Sequence, residues 1–395
     1  MGMIFSQAQT IQISTTLFVL AFVSFPLLHD LKPIIHERAP YGVAEVPNRL
    51  KFSFEAYFAG RYQKKAEELA KKQSGFWYPF TLLGNQLLLG GFNQITPFHN
   101  DSVFMGANGQ LLQSIHIPAF NNLPDPRIES EKTRIRIEKL KRLQDHQNKR
   151  GKSVIALISP NVTALYPETV PDRYLAKNRD QRTPSYKDFK KKLDEAGVLY
   201  IDAVEVLTTQ VQAKYPFRLY GQTASHWNDV AACEVLKRIN EKFSEQKTKA
   251  FPEFNCDAWQ YEYPPRSSDV DLLRVANLLT PSNYFEKMPY VQVDERTKNR
   301  GTKEFSRVTM AGSSYLFAFN ELMSRLRLTK GHVHLFYFKS RLRKGETQPQ
   351  KLNRQDLDWR TILDREIIIV DAPMRDPAIL GYGFIEAAVR NIPRE

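Results

Sequence analysis

The order of apolar and polar positions divides this chain into short buried runs separated by charged stretches with helical spacing. Val154–Ser159 is a continuous apolar run that stops at Pro160-Asn161, the pattern of a strand covered on both faces. Val198–Ile201, ending in Asp202, and Ile367–Val370, ending in Asp371, repeat it. Phe305–Met310 leads into a small-residue turn at Gly312-Ser313-Ser314, and His332–Phe338 alternates apolar with polar residues as a strand does. Helices are predicted over Arg127–Lys149, charged and amphipathic and carrying Ile135, Ile137, Leu140 and Leu143, and over Tyr186–Ala196, closed by Gly197. Val204–Ala213, Val230–Phe243, Leu316–Leu328 and a short Asp269–Leu279 complete the helical set. Val103–Leu112 has the form of a hairpin turning at Asn108-Gly109. Lys247–Pro265, Tyr290–Gly301 and the basic Lys339–Arg354 read as irregular or loop segments. Strands alternating with amphipathic helices predict an α/β fold of three layers, α/β/α, with a mainly parallel sheet. Sites in such sheets sit at the carboxyl ends of the strands.

Ahead of this domain, Ile11–Leu28 is a run of about 18 residues without a charge, near the lower limit for a membrane-spanning helix. No small-x-small cleavage site follows it, which favours an uncleaved anchor over a removed signal peptide. Met1–Thr10 holds no Lys or Arg, so the charge rule leaves its orientation unset. The predicted organisation is an N-terminal transmembrane anchor in 1–30, a connector and helical lead-in over 31–90, and one large α/β domain over 91–395.

Composition changes the picture in three places. The net charge of +13 fits a basic surface, or attraction to a polyanion such as an acidic polysaccharide, a phospholipid surface or nucleic acid. Nucleic acid is the weakest of these, because no zinc-finger spacing, RNP-like motif or helix-turn-helix pattern is present. The two cysteines, Cys233 and Cys256, leave two readings open: one bridge in an oxidising compartment, or two separately buried thiols. His332 and His334 alternate on a strand with no third ligand in view, so neither a metal site nor a cofactor is predicted.

Two stretches carry chemistry. Gly221–Asp229 places His226-Trp227 between small polar residues and the start of a helix, and Val308–Tyr315 ends a strand in Gly-Ser-Ser-Tyr. A serine hydroxyl is a weak nucleophile until a base takes its proton and backbone N–H groups stabilise the oxyanion. Ser314 is the candidate nucleophile, with Ser313 as its competitor in the same turn, and His226 is the candidate base. Trp227, Asn228 and Tyr315, with Thr223 and Ser225, are candidates for supporting the site or touching a sugar.

These stretches, with Ile158-Ser-Pro-Asn-Val-Thr-Ala-Leu-Tyr166-Pro167-Glu168-Thr-Val-Pro171, resemble the AlgJ/AlgX alginate O-acetyltransferase family of the SGNH-hydrolase superfamily. Ala59-Gly60-Arg61-Tyr62-Gln63 and the hairpin Phe104-Met105-Gly106-Ala107-Asn108-Gly109 add support, while Asp271–Leu279 and Ile367–Asp371 match more loosely. The likeness runs in order along nearly the whole chain. It implies a Ser-His-Asp triad with Ser314 as nucleophile and His226 as base. It also implies an inner-membrane protein with a periplasmic catalytic domain. Such a domain works beside a membrane-bound O-acyltransferase partner and acetylates a polysaccharide, for which the charge suits an anionic acceptor.

One departure matters. The family's Asp-x-His-Trp puts an aspartate two residues before the histidine, where this chain has Ala224. Another acid could stand in: Asp229 is nearest in sequence, and Asp202 or Asp371 could reach from strand ends. A Ser–His dyad oriented by a backbone carbonyl is the second reading, and a polysaccharide-binding subunit without turnover the third. An acetyl-esterase of the same fold shares the chemistry up to the acyl-enzyme. Ser313 also stands where the superfamily often has aspartate.

Overall fold

The computed structural model describes residues 14–16, 19–20, 24, 52–73, 77–92, 94–95, 103–301 and 305–392. The chain divides into two compact units, Met1–Asn100 with Leu273–Asn283, and Asp101–Leu272 with Tyr284–Glu395. In the first, the described helices include α1 (Phe54–Phe58), α2 (Arg61–Gln73) and α3 (Trp77–Phe92). Ser53 caps α1 by accepting the Ala56 N–H at 3.1 Å. Asn85 of α3 is buried and donates to the carbonyls of Ala276 and Asn277 at 2.9 and 3.3 Å, tying the two pieces of this unit together.

Of the transmembrane helix expected over 11–28, residues 14–16, 19–20 and 24 are described and the rest lies outside the described residues. Among the described residues no helix is long and apolar enough to cross a membrane. Apolar α3 has 16 residues, against about 20 for a bilayer core. The expected single-pass anchor in the inner membrane is corrected accordingly.

The second unit begins with the hairpin, β1 (Val103–Met105) and β2 (Leu111–Gln113), paired antiparallel with Phe104 opposite Leu112. Asn108 and Gly109 take the turn at φ 57° and 75°, conformations that Asn and Gly adopt most readily. The chain continues through α4 (Glu131–Lys149), β3 (Ser153–Ser159), α5 (Ser185–Glu195), β4 (Tyr200–Asp202), α6 (Asp229–Glu245), β5 (Trp259–Glu262) and α7, which starts at Asp271 (Asp271–Ala276). It ends through β6 (Met288–Val291), β7 (Arg307–Gly312), α8 (Leu316–Arg325), β8 (Gly331–Phe336), β9 (Ser340–Arg343), β10 (Gln350–Lys351), β11 (Ile367–Pro373) and α9 (Phe384–Arg390).

Seven strands form one sheet in the order β10-β9-β8-β7-β11-β3-β4. The pairs from β8 to β4 are parallel, whereas β9 and β10 run antiparallel, so the sheet is mixed. The antiparallel edge lies within Lys339–Arg354, the segment read as a loop. Its lysines and arginines are the charges that sheet edges carry against unwanted pairing. The period-2 alternation of the buried strands sorts side chains to two cores. Ile155, Leu157, Val308, Met310, Ile367 and Ile369 pack with residues of α6 and α8. Val154, Ala156, Ile158, Ile368 and Val370 pack with residues of α4, α5 and α9. These are the two helical layers of an α/β/α sandwich. Cys233 of α6 is bonded to Cys256, 23 residues on, which settles the pairing left open by the sequence.

Candidate active site

Strand β7 delivers the nucleophile candidate. After Gly312 the chain turns at Ser313-Ser314 and enters α8, with Phe317 N–H on the Ser314 carbonyl at 3.0 Å. The turn is held from beneath by β11. Buried Asp371 accepts the Ser313 N–H at 2.8 Å and the hydroxyls of Ser313 and Ser159. Burial raises the Asp371 pKa, opposed by those three hydrogen bonds. Gly312 lies so close to this acid that a Cβ on it would stand 2.5 Å from the Asp371 Cβ. The Ser314 N–H has no acceptor among the described residues, which leaves it free for an oxyanion.

The candidate base arrives on the segment before α6. Asn228 caps α6, accepting the Ala231 N–H at 2.9 Å, and donates to the Arg218 carbonyl at 2.8 Å. His226, two residues earlier, turns its imidazole toward the serine. Nε2 lies 2.7 Å from Ser314 Oγ. Nδ1 lies 2.8 Å from a carboxylate oxygen of Asp271. A carboxylate only accepts, so Nδ1 carries the proton and Nε2 is left to accept one from Ser314.

Asp271 opens α7, and the chain brings it to the histidine by a strap of hydrogen bonds between the two segments. Leu272 N–H donates to the Thr223 carbonyl at 3.1 Å, and Thr223 Oγ1 to the Asp269 carbonyl at 3.2 Å. Ser225 gives Asp271 its N–H at 2.8 Å and its hydroxyl as well. Burial pushes the Asp271 carboxyl upward. The charge of His226 and the hydrogen bonds from His226 and Ser225 outweigh it, and the net shift is downward. Its side chain is 25% exposed, and the downward shift favours the carboxylate form.

The acids named from the sequence lie elsewhere. Asp202 caps the turn after β4 through Val204 N–H at 3.0 Å and pairs with Lys190 at 2.7 Å. Asp229 binds Arg325 at 2.5 Å and accepts the Val291 N–H at 2.7 Å. Asp371 serves the serine turn. None of the three has a hydrogen bond to His226. Of the candidate sugar contacts, Trp227 is buried, stacked on Phe319 at 5.5 Å and edge-on to Tyr315 at 5.6 Å. Tyr315 is buried too and donates its hydroxyl to the Ser225 carbonyl at 3.1 Å. With Asn228 in the cap, all three shape the histidine loop from within and present no face to a glycan.

Three residues beside the site escaped the sequence reading. Asp271 sits 45 residues from the histidine, beyond any local spacing rule. Tyr337, just after β8, places its hydroxyl 3.4 Å from Ser314 Oγ. His116 is buried with Nδ1 3.3 Å from the Asn161 amide and Nε2 3.2 Å from Gln113. Burial, helped by the charges of Arg375 and His226, lowers its pKa to about 3 and keeps it neutral.

The strap also sets a pH dependence. Asp269 is 2% exposed and takes the Tyr290 hydroxyl, and burial foremost raises its pKa to about 7. The unfolded chain ionises this group near 3.8, so the folded protein holds an extra proton between those values. Stability therefore falls as pH rises from 4 to 7, and the penalty is complete above 7. Asp269→Asn keeps an acceptor for Tyr290 and removes the charge. At pH 8 it is expected to be more stable than the parent by up to about 4 kcal/mol, three pKa units at about 1.4 each. At pH 3.5 the two should coincide. Urea denaturation at both pH values checks this, and equal gains at the two would sink it.

Comparison with known proteins places these features in context. The family model for the SGNH hydrolase-like domain of the acetyltransferase AlgX matches residues 121–325, a span holding His226, Asp271 and Ser314. No sequence match to a curated protein is found. Among solved structures, the O-acetyltransferase domain of Pseudomonas putida AlgJ is similar at 15% identity, covering 74% of this chain and 99% of that one, with a TM-score of 0.46. Bacillus cereus PatB1 is similar at 11% identity, covering 71% and 97%, with a TM-score of 0.42. Pseudomonas aeruginosa AlgX is similar at 10% identity, covering 76% and 68%, with a TM-score of 0.41.

Proposed function

The chain belongs to the family of SGNH hydrolase-like acetyltransferase domains represented by AlgX, and from that premise we propose that it O-acetylates an envelope or exopolysaccharide through an acyl-enzyme on Ser314. The observation that supports this most is the line of three side chains, Ser314 Oγ to His226 Nε2 at 2.7 Å and His226 Nδ1 to Asp271 at 2.8 Å. In the first half-reaction Oγ attacks the acetyl carbonyl of the donor while Nε2 takes its proton. The Ser314 N–H receives the oxyanion, and the imidazolium returns the proton to the leaving group. In the second, a sugar hydroxyl gives its proton to Nε2 and attacks the acetyl ester. The bond from the acetyl carbonyl carbon to Ser314 Oγ then breaks, its electron pair staying on Oγ, which recovers a proton from the imidazolium. Asp271 keeps the ring in the tautomer both halves need and stabilises the imidazolium.

The net charge of +13 favours an anionic, alginate-like acceptor. A membrane-bound O-acyltransferase partner is the proposed source of the acetyl group. A His226 lacking any acid would favour a binding subunit without turnover; the carboxylate 2.8 Å from Nδ1 supports turnover instead. Hydrolysis differs only in the acceptor. Incubation with a chromogenic acetyl ester, with and without an oligouronate, separates the readings. The expected result is an acetyl group on the Ser314 peptide by mass spectrometry, absent in Ser314→Ala and His226→Ala, and acetylated oligouronate as product. Acetate alone as product would favour the esterase, and an unmodified Ser314 in folded protein would overturn the proposal.

A further inference from the structure

Ser314 Oγ has a second neighbour. Its single proton points to His226 Nε2, so its lone pairs are available to a donor, and the Tyr337 hydroxyl stands 3.4 Å away. That distance is long for an O–H···O bond, whose ordinary range is about 2.5–3.0 Å. A contact that is loose to a neutral hydroxyl and tightens to a charged oxygen stabilises the transition state more than the ground state, which is what lowers a barrier.

The backbone shows that the tyrosine is held there against its preference. Tyr337 has φ 48° and Phe338 φ 51°, two consecutive non-glycine residues in the left-handed region. For a bulky side chain this conformation is a true outlier, costing about 1–3 kcal/mol, and it persists only where surrounding structure imposes it. Here the Tyr337 N–H is fixed on the Gly312 carbonyl at 2.8 Å, beside the nucleophile turn. Its ring is wedged between Phe336 at 4.0 Å and Tyr382 at 4.9 Å. Tyr382 is itself at φ 52°. A glycine or asparagine would take this turn with less strain, yet the chain has a tyrosine there, its hydroxyl beside Ser314 Oγ.

We propose that Tyr337 is a catalytic residue, donating a hydrogen bond from its hydroxyl to Ser314 Oγ while that oxygen carries negative charge. The inference rests on the acyl-enzyme reading above. When the second tetrahedral intermediate collapses, the bond from carbon to Oγ breaks and its electron pair moves to Oγ. The imidazolium of His226 supplies the proton. The phenol proton stays on Tyr337, and its hydrogen bond shortens as the charge develops. The same oxygen bears charge as it attacks, so both half-reactions feel the phenol.

The test uses the full chain and a sulfonyl fluoride, phenylmethanesulfonyl fluoride, which needs no acetyl donor or acceptor. Oγ attacks sulfur, fluoride leaves with the S–F bond pair, and the Oγ proton passes to His226 and then to solvent. Tyr337→Phe keeps the ring packing and is expected to label at Ser314 about 10- to 100-fold more slowly, at an unchanged unfolding midpoint. Fluorotyrosines of graded acidity at position 337 should shift the rate in order of phenol pKa, which a purely structural residue would not do. Parent and Tyr337→Phe labelling equally fast, or rates indifferent to phenol acidity, would overturn the role of Tyr337 alone. A folded parent whose Ser314 takes no sulfonyl group would overturn the nucleophile reading and this inference with it.

Discussion

Asp271→Asn is expected to lower kcat for acetyl transfer by about 10³–10⁴-fold while leaving the fold intact. The amide oxygen, at the Oδ1 position, can still accept the Ser225 N–H, and the backbone bonds of the strap are untouched, while the Ser225 hydroxyl loses its acceptor at the other position. Its NH2 group then faces His226 Nδ1. Nδ1 must become an acceptor, the ring proton moves to Nε2, and the tautomer can no longer take a proton from Ser314. A carboxylate also stabilises the imidazolium of each half-reaction, and an amide does not. Steady-state turnover of a chromogenic ester beside an unfolding curve decides the matter. Parent-level turnover would show that His226 is oriented by something other than Asp271.

Replacing Asp371 with alanine should have the largest effect on stability. Three donors converge on this buried carboxylate: the Ser313 N–H, the Ser313 hydroxyl and the Ser159 hydroxyl. Leaving each without a partner costs about 1–3 kcal/mol, so a loss of about 3–9 kcal/mol is expected, with turnover lost as the serine turn drifts. Asp371→Asn retains an acceptor and should recover much of the stability. Denaturant midpoints of the two variants are the measurement; a loss under about 1 kcal/mol for alanine would mean that solvent takes over the three donors.

The parts of this molecule governed by local patterning were legible in the chain. Continuous apolar runs located β3 and β11, because a strand covered by helices on both faces has no polar side to show. Asn108-Gly109 located the hairpin, because few residue pairs accept two positive φ values. Ser314 and His226 were singled out from their turns, and the fold places them within hydrogen-bond reach. Long-range or edge effects hid the rest. β9 and β10 carry the charges that protect a sheet edge and so imitate a loop, and β5 with β6 sits in aromatic sequence without clean alternation. The three acids proposed from nearness in sequence or from strand ends were each already committed, to a cap, an ion pair and the serine turn. Asp271 reaches the histidine only through backbone hydrogen bonds between two distant segments, a pairing that no spacing rule encodes.

The disulfide carries a practical consequence. Cys233 lies one helical turn into α6, the helix that Asn228 caps immediately after His226, and its partner is 23 residues on. Closing a ring of that length removes chain entropy from the unfolded state worth about 3 kcal/mol. A preparation kept in a thiol reductant would carry the same three side chains on a less stable scaffold. Its lost activity on warming would then report the sulfur chemistry of α6 and nothing about Ser314, so oxidised protein is the form in which the triad should be assayed.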